Sequence, residues 1–514
     1  MRQLLLLLLS LSLLLSGCGK VEDSTSFDPL EELREYYGAE EVAEDIPLTT
    51  FTLPYCSNDT WDPVTCDDGI QHTVTSLVYE TLYRLDETFS PQPLLVERAE
   101  YDAETFVYTL HLRSGICFSD GSEMTAQDVA ASLLRAVHST RYGPRLWQVR
   151  TVTVQGSTVE VALSEDNRGF TALLDIPVIK AGTETLVVPV GTGPYLPTSD
   201  KTALQLNPNW WQNKTLPFDS IALRSYKSEE AAAYAFASHD VHLFVYDLLN
   251  DISLASASNN NATVADTAVM HYLGFNMSKH YLSDPRMRHA ISLAIDRDEI
   301  VNAALSGHAV ATQFPLHPSS NLYPAHLEED STTTAVFDAL SQQDFSDGQW
   351  KYQLRLLVNS DNSFKVAAAE SIATMLNRHD FDVTVLALPW EDFLYVLELG
   401  NYDLYYGQCK LSADWDPSPL LGTEGTLYYG DYSNAMTDTL LAAYRSAEGD
   451  ARTETMEALC RHLQAQSPVI PLYFERVDVL LSRGAVDAIT PTATEPFYRL
   501  ENWKVNWGEA PATE

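Results

Sequence analysis

Two carboxylates and an indole stand together at Ala413-Asp414-Trp415-Asp416-Pro417, and this run has the chemistry of a ligand anchor. A carboxylate held against an apolar wall makes a strong pair with a cationic group, because either charge alone is costly to bury. The run follows a strand expected over 402–406, and ligands of parallel sheets sit beyond the carboxyl ends of the strands. The neighbouring strand ends bring Trp390 and, within 407–417, Gln408 and Cys409 to the same edge. Asp414, Trp415, Asp416, Gln408, Cys409 and Trp390 are therefore the candidate ligand-binding residues, with Asp414 as the anchor.

Other reactive spacings are poorer. His239 and His242 stand at i and i+3 but lack the carboxylate or Cys partners of a metal site. Neither GxSxG nor HExxH occurs, GxGxxG and the Walker pattern are absent, and spacing alone does not support a paired-carboxylate hydrolase. Asp120 and Asp128 read as turn and cap residues. No catalytic residue, metal or cofactor is assigned. Of the six cysteines, Cys56 and Cys66 lie close together in a turn-rich segment and form the candidate disulfide. The other spacings match neither zinc nor redox motifs.

The elements that must position these residues follow from periodicity. Phe106, Tyr108, Leu110 and Leu112 alternate as in a strand, a second short strand is expected over 116–118, and Ser119-Asp120-Gly121 makes a turn. Thr125 and Asp128 have the form of a capping box before an amphipathic helix through Val137. A hairpin is expected over 151–163 through Gln155-Gly156-Ser157, and strands at 48–53, 203–207 and 272–276. Asp284-Pro285 and Asp296-Arg297 open two helices. Strand 352–358, helix 364–378, strand 381–388, helix 391–399 and strand 402–406 form a βαβαβ run, which implies parallel neighbours and right-handed crossovers. Helices at 437–447 and 450–466 follow.

With 514 residues the chain can fill two or three domains. Its 71 acidic residues against 32 Lys and Arg disfavour a nucleic-acid partner. Arg2, the apolar run 4–15 and Leu15-Ser16-Gly17-Cys18 read as a secretory signal too short to span. Its end resembles a bacterial lipobox, so Cys18 is the expected lipidation site and 18–45 an acidic tether, with a brief helix at 29–37. Two or more acyl chains anchor a protein stably.

Tyr79-Glu80-Thr81-Leu82, Leu112 to Gly121 (LRSGICFSDG) and Thr125 to Val129 occur in that order. Together they closely resemble the Tyr-Glu-x-Leu helix, LRxGxxFSDG hairpin and TAxDV helix start of the family 5 extracellular solute-binding proteins, receptors of ABC importers for oligopeptides, dipeptides and nickel. Gly191-Thr192-Gly193-Pro194-Tyr195 resembles the family's GTGPY, read here as a tight turn at a domain crossover, and 286–297 resembles its VRxAxxxAIDR. The resemblance implies an α/β, two-lobe periplasmic-binding-protein-like fold (type II, cluster C) with an extra domain inserted in the first lobe. The expected segments are a signal peptide 1–17, tether 18–45, first lobe 46–76, 187–269 and 485–507, inserted domain 77–186, second lobe 270–484 and tail 508–514.

It also implies a monomeric, lipid-anchored, extracytoplasmic receptor that is not an enzyme, captures oligopeptides between its lobes and delivers them to a membrane permease and its cytoplasmic ATPase. Ala413-Asp414-Trp415-Asp416-Pro417 is similar to the Ala-Asp-Tyr-x-x-Pro of oligopeptide receptors, whose Asp pairs with the peptide α-ammonium group. The loop here is one residue shorter, which makes Asp416 the alternative. The Arg that clamps dipeptides has no counterpart in Asn359-Ser360-Asp361-Asn362, so longer peptides are expected. A nickel chelate, haem or an oligosaccharide would be the ligand of an alternative receptor of this fold, and a surface-anchored hydrolase is the alternative of another class.

Overall fold

Alternating apolar residues and well-placed caps build three principal sheets, which the computed structural model describes over residues 48–247, 249, 260–331, 352–487 and 489–508. The expected signal peptide, lipidation site Cys18, tether and 29–37 helix, and tail residues 509–514, lie outside the described residues.

The first sheet orders Phe51–Cys56, Ser220–Tyr226, Ala203–Leu206 and Tyr195–Pro197, the first pair parallel and the others antiparallel. Phe51 and Leu53 pack there with Phe218 and Ile221, and the C-terminal Phe497, Leu500 and Trp503 join the same core. Cys56 and Cys66, the candidate disulfide, are free thiols here. The loop between them is closed by Asp59 instead, whose Oδ2 accepts from the N–H groups of Asp67 (3.0 Å) and Asp68 (2.8 Å) and from the Cys66 thiol (3.2 Å).

A second, antiparallel sheet falls between these strands in sequence, in the order Val96–Asp102, Val107–Leu112, Thr158–Leu163, Val149–Gln155. The expected hairpin turns at Gly156, φ 62°. Helix Ala126–Val137 starts in the expected box, Asp128 Oδ2 accepting from Thr125 N–H (2.8 Å) and Oγ (2.6 Å), and sets Val129 and Leu133 against Leu110 and Val161. Two expectations need correction. Residues 116–118 make only an isolated bridge, Cys117 to Glu123. Residues 79–82 are not helical; the helix is Gly69–Thr75. A turn at 76–78 follows that helix, and long-range bonds fix it: Val78 O accepts from Gly193 N–H (2.9 Å), Leu77 O from Tyr195 N–H (3.1 Å), and Tyr79 OH donates to Pro189 O (3.0 Å). A Cβ on Gly191 or Gly193 would strike Val78, so the glycines serve close backbone approach, without positive φ.

The third sheet runs Leu243–Tyr246, Val469–Ser482, Asn260–Phe275, Leu404–Lys410, Tyr352–Asn359, Phe381–Leu388, with Ala309–Ala311 also on Val469–Ser482. The last three strands of that series are parallel, as the βαβαβ pattern requires, with helices Ser363–Leu376 and Trp390–Glu398 as crossovers. Asn260–Phe275 and Val469–Ser482 are the longest strands, and their ladder shifts register between Asp266 and Met270. Asp284 and Asp296 cap Pro285–Leu293 and Arg297–Ala304 as expected.

Where Asn260–Phe275 meets Leu404–Lys410, Gly274 faces Tyr405 and Gly407 faces Tyr272, so each ring covers the opposite glycine. A Cβ at Gly274 would enter the Tyr405 ring. Gly274→Ala should therefore destabilise the protein by about 2 kcal/mol, the scale of overpacking a filled core; an unchanged midpoint in thermal denaturation would contradict this packing.

Candidate functional site

Among the sheets lies a cavity of about 1180 Å3, beyond the usual 300–1,000 Å3 of small-ligand pockets. Its walls come from segments within 63–81 and 194–216 beside the first sheet, 141–147 and 165–177 beside the second, 410–445 of the third, and 493–501 near the C-terminus.

Its framework is a set of charged joints. Glu80 is buried and accepts from Trp210 Nε1 (3.0 Å), Trp211 Nε1 (2.7 Å) and Gln212 Nε2 (2.8 Å), which brings two distant sequence motifs together. Arg84 meets Glu495 at 2.5 Å and Arg145 meets Asp175 at 2.5 Å. Arg445 reaches from helix Ala435–Arg445 to Glu165 (2.6 Å), tying the second and third sheets together. Lys410 ends its strand on the same cavity. Desolvation lowers its ammonium pKa, and the Arg141 and Arg145 guanidiniums lower it further. His72 also faces the cavity; burial first and Arg141 second push its imidazole down to about 4.

The structure separates the six candidate residues. Asp416 alone lines the cavity. It accepts from Ser418 N–H (3.0 Å) and Oγ (2.5 Å), and Arg445 Nη1 lies 3.6 Å away. Asp414, the expected anchor, is 4% exposed and turned away, accepting from Ser412 Oγ (2.6 Å) and Asn167 Nδ2 (3.1 Å). Trp415 adopts φ 57° and packs against Phe89, His317 and Phe474, away from the cavity. Gln408 and Cys409 belong to the strand, which runs on to Lys410. Gln408 accepts from Lys365 Nζ (2.5 Å) and donates to Glu475 (3.1 Å), while Cys409 is buried, its thiol pushed up to about 12 by burial. Trp390 stacks on Phe393 and is half exposed, off the cavity wall. His242 is occupied as well, its Nδ1 accepting Thr52 N–H at 2.9 Å.

Proximity to a strand end could not distinguish inward from outward side chains, which is why Lys410 and Arg141 were missed. The available signal was a lysine closing the 404–410 strand at the very edge singled out.

Burial, and then the neighbouring Asp414 carboxylate, raise the Asp416 pKa to about 6, with Arg445 opposing. A carboxyl raised above its unfolded value holds its proton longer when folded, so its contribution is present below about pH 4 and is lost as pH rises through about 6. Asp416→Asn should gain stability relative to the wild type across that interval, on the order of 1–3 kcal/mol. Parallel melting curves of the two proteins from pH 4 to 7 would contradict this.

Residues 90–426, well over half of the chain, match the family model described as bacterial extracellular solute-binding proteins, family 5 (middle). The glutathione-binding protein GsiB of Escherichia coli K12 is 24% identical over 449 residues, 81% of this chain and 87% of that protein. Two solved structures share the fold: the ABC transporter substrate-binding protein CtaP of Listeria monocytogenes (TM-score 0.72, 18% identity, 90% of this chain and 100% of that one) and the oligopeptide-binding protein AppA of Bacillus subtilis in complex with a nonapeptide (TM-score 0.62, 17% identity, 90% and 100%). The large cavity thus sits in a type II periplasmic-binding fold, and with the family model matching well over half of the residues the chain belongs to the family 5 bacterial extracellular solute-binding proteins.

Proposed function

We propose that this family 5 binding protein is a lipid-anchored, extracytoplasmic receptor that captures peptides between two lobes and passes them to an ABC permease, without chemical turnover. The observation that carries this reading is a cavity of about 1180 Å3 walled by segments that flank all three sheets, in a fold whose long two-stranded ladder shifts register twice, between Asp266 and Met270 and between His271 and Tyr272. Closely spaced register shifts let two packed bodies rotate about a few backbone torsions, the geometry of closure on a ligand. GsiB and AppA, by their names, bind glutathione and oligopeptides, which supports a peptide-like ligand. The anchor rests on Leu15-Ser16-Gly17-Cys18. Among the described residues no helix is long and apolar enough to cross a membrane.

A thermal-shift panel of peptides of two to nine residues tests the ligand class. A true ligand at a hundred times its dissociation constant should add about 2.7 kcal/mol, and mass analysis should return it intact. Stabilisation only by nickel chelates, haem or sugars, or appearance of cleaved peptide, would overturn the reading. Cys18→Ser should release the protein from membranes or leave its precursor uncleaved; unchanged detergent partitioning would refute the anchor.

A further inference from the structure

Three of the five Lys and Arg side chains on the cavity wall already hold a carboxylate, and two do not. Arg84, Arg145 and Arg445 each hold a carboxylate at 2.5–2.6 Å. Lys410 and Arg141 have no carboxylate within ion-pair range among the described residues; Arg141 rests on the Tyr142 ring, 5.7 Å from its centre. They come from different elements, Lys410 from the strand Leu404–Lys410 and Arg141 from the loop after Ala126–Val137. We propose that Lys410 and Arg141, neighbours on the cavity wall, together form a subsite for a carboxylate of the bound ligand.

The inference rests on the peptide reading for the identity of the ligand, but the subsite is argued from charge alone. Each cation lowers the proton affinity of what lies nearby: Arg141 acts on both Lys410 and His72, and Lys410 acts on His72. Such like-charge proximity costs stability when the cavity is empty and is relieved when an anion enters. In a chain with a formal charge of −39, general attraction for anions is absent, so discrimination falls to this local pair. The guanidinium fork suits a planar carboxylate, and the ammonium adds a point charge beside it.

The test is titration calorimetry on the purified full chain with trialanine, trialanine C-terminal amide, glutathione and citrate. The acids should bind roughly tenfold or more tightly than the amide, the scale of one charge-assisted contact. Lys410→Met and Arg141→Met should each remove that advantage and leave the amide unaffected, while Lys410→Arg restores it. Melting midpoints at or above the wild-type value would confirm that the variants fold. Peptides that bind equally as acid and amide, or acids indifferent to both substitutions, overturn the subsite and leave the peptide reading standing. Citrate binding that depends on Lys410 and Arg141, with no peptide bound, upholds the subsite and removes the peptide reading. Failure of every carboxylate probe to bind overturns the subsite.

Discussion

The ladder between Asn260–Phe275 and Val469–Ser482 belongs to several hydrophobic cores at once, and the relation of the two lobes depends on it. At one end Val479 and Leu481 pack with Phe51 and Ile221; at the other Leu273, Phe275, Ile470 and Leu472 pack with Leu354, Leu356 and Ile372. Between them Met270 and Phe474 are buried in a third cluster, and a set of polar groups lies alongside. Glu475 Oε1 lies 2.5 Å from His271 Nε2 and accepts from Gln408, Thr267 Oγ donates to Glu475 O (2.9 Å), and the Tyr406 and Tyr473 hydroxyls reach His271 Nδ1. Burial lowers the His271 pKa against the pull of Glu475. A buried network with its members paired favours one register, because any slip would strand a polar group away from water.

The motifs that mark the family turn out to be joints. Glu80 gathers Trp210, Trp211 and Gln212, Gly191 and Gly193 admit the backbone at Val78, and Asp128 holds both Thr125 and the Ala181 N–H (2.8 Å). Even the Ala-Asp-Trp run is spent largely on packing: Asp414 O accepts from Tyr444 OH (2.5 Å) and Arg452 Nη2 (2.9 Å), and Trp415 fills an aromatic cluster with Phe89 and Phe474. Much of the cavity wall then belongs to residues outside those motifs, including His72, Arg141 and Lys410. A fold whose motifs serve as joints leaves its wall residues free to set the ligand, in keeping with one fold hosting several functions.

Local pattern carried a large part of the architecture. The capping box at Thr125 and Asp128, the Asp-Pro start at Asp284, the turn at Gly156 and the βαβαβ run from 352 to 410 are short-range devices, each set by residues a few positions apart. The long strand Asn260–Phe275 was legible only in its last residues, since its first half, with Asn260, Asn261, Thr263 and Asp266, is polar and has one face to solvent. Residues 79–82 failed as a helix because long-range bonds outcompete local preference: Glu80 O accepts from Val178 N–H (3.0 Å), Leu82 N–H donates to Ile176 O (3.2 Å), and Thr81 bridges to Pro177.

By itself, the sequence determined the main caps and turns, the βαβαβ run, the family, and the segment that reaches the cavity, because periodicity, caps and motif spacing are properties of neighbouring residues. Tertiary structure decided which side chains face the cavity. The turn at Trp415, φ 57°, sends Asp414 toward Asn167 and Asp416 toward Arg445, and no spacing rule separates two carboxylates two positions apart. It likewise left Cys56 and Cys66 unpaired and set Lys410 beside Arg141, some 270 positions earlier in the chain. Such charge balance depends on packing between sheets, which local spacing does not encode.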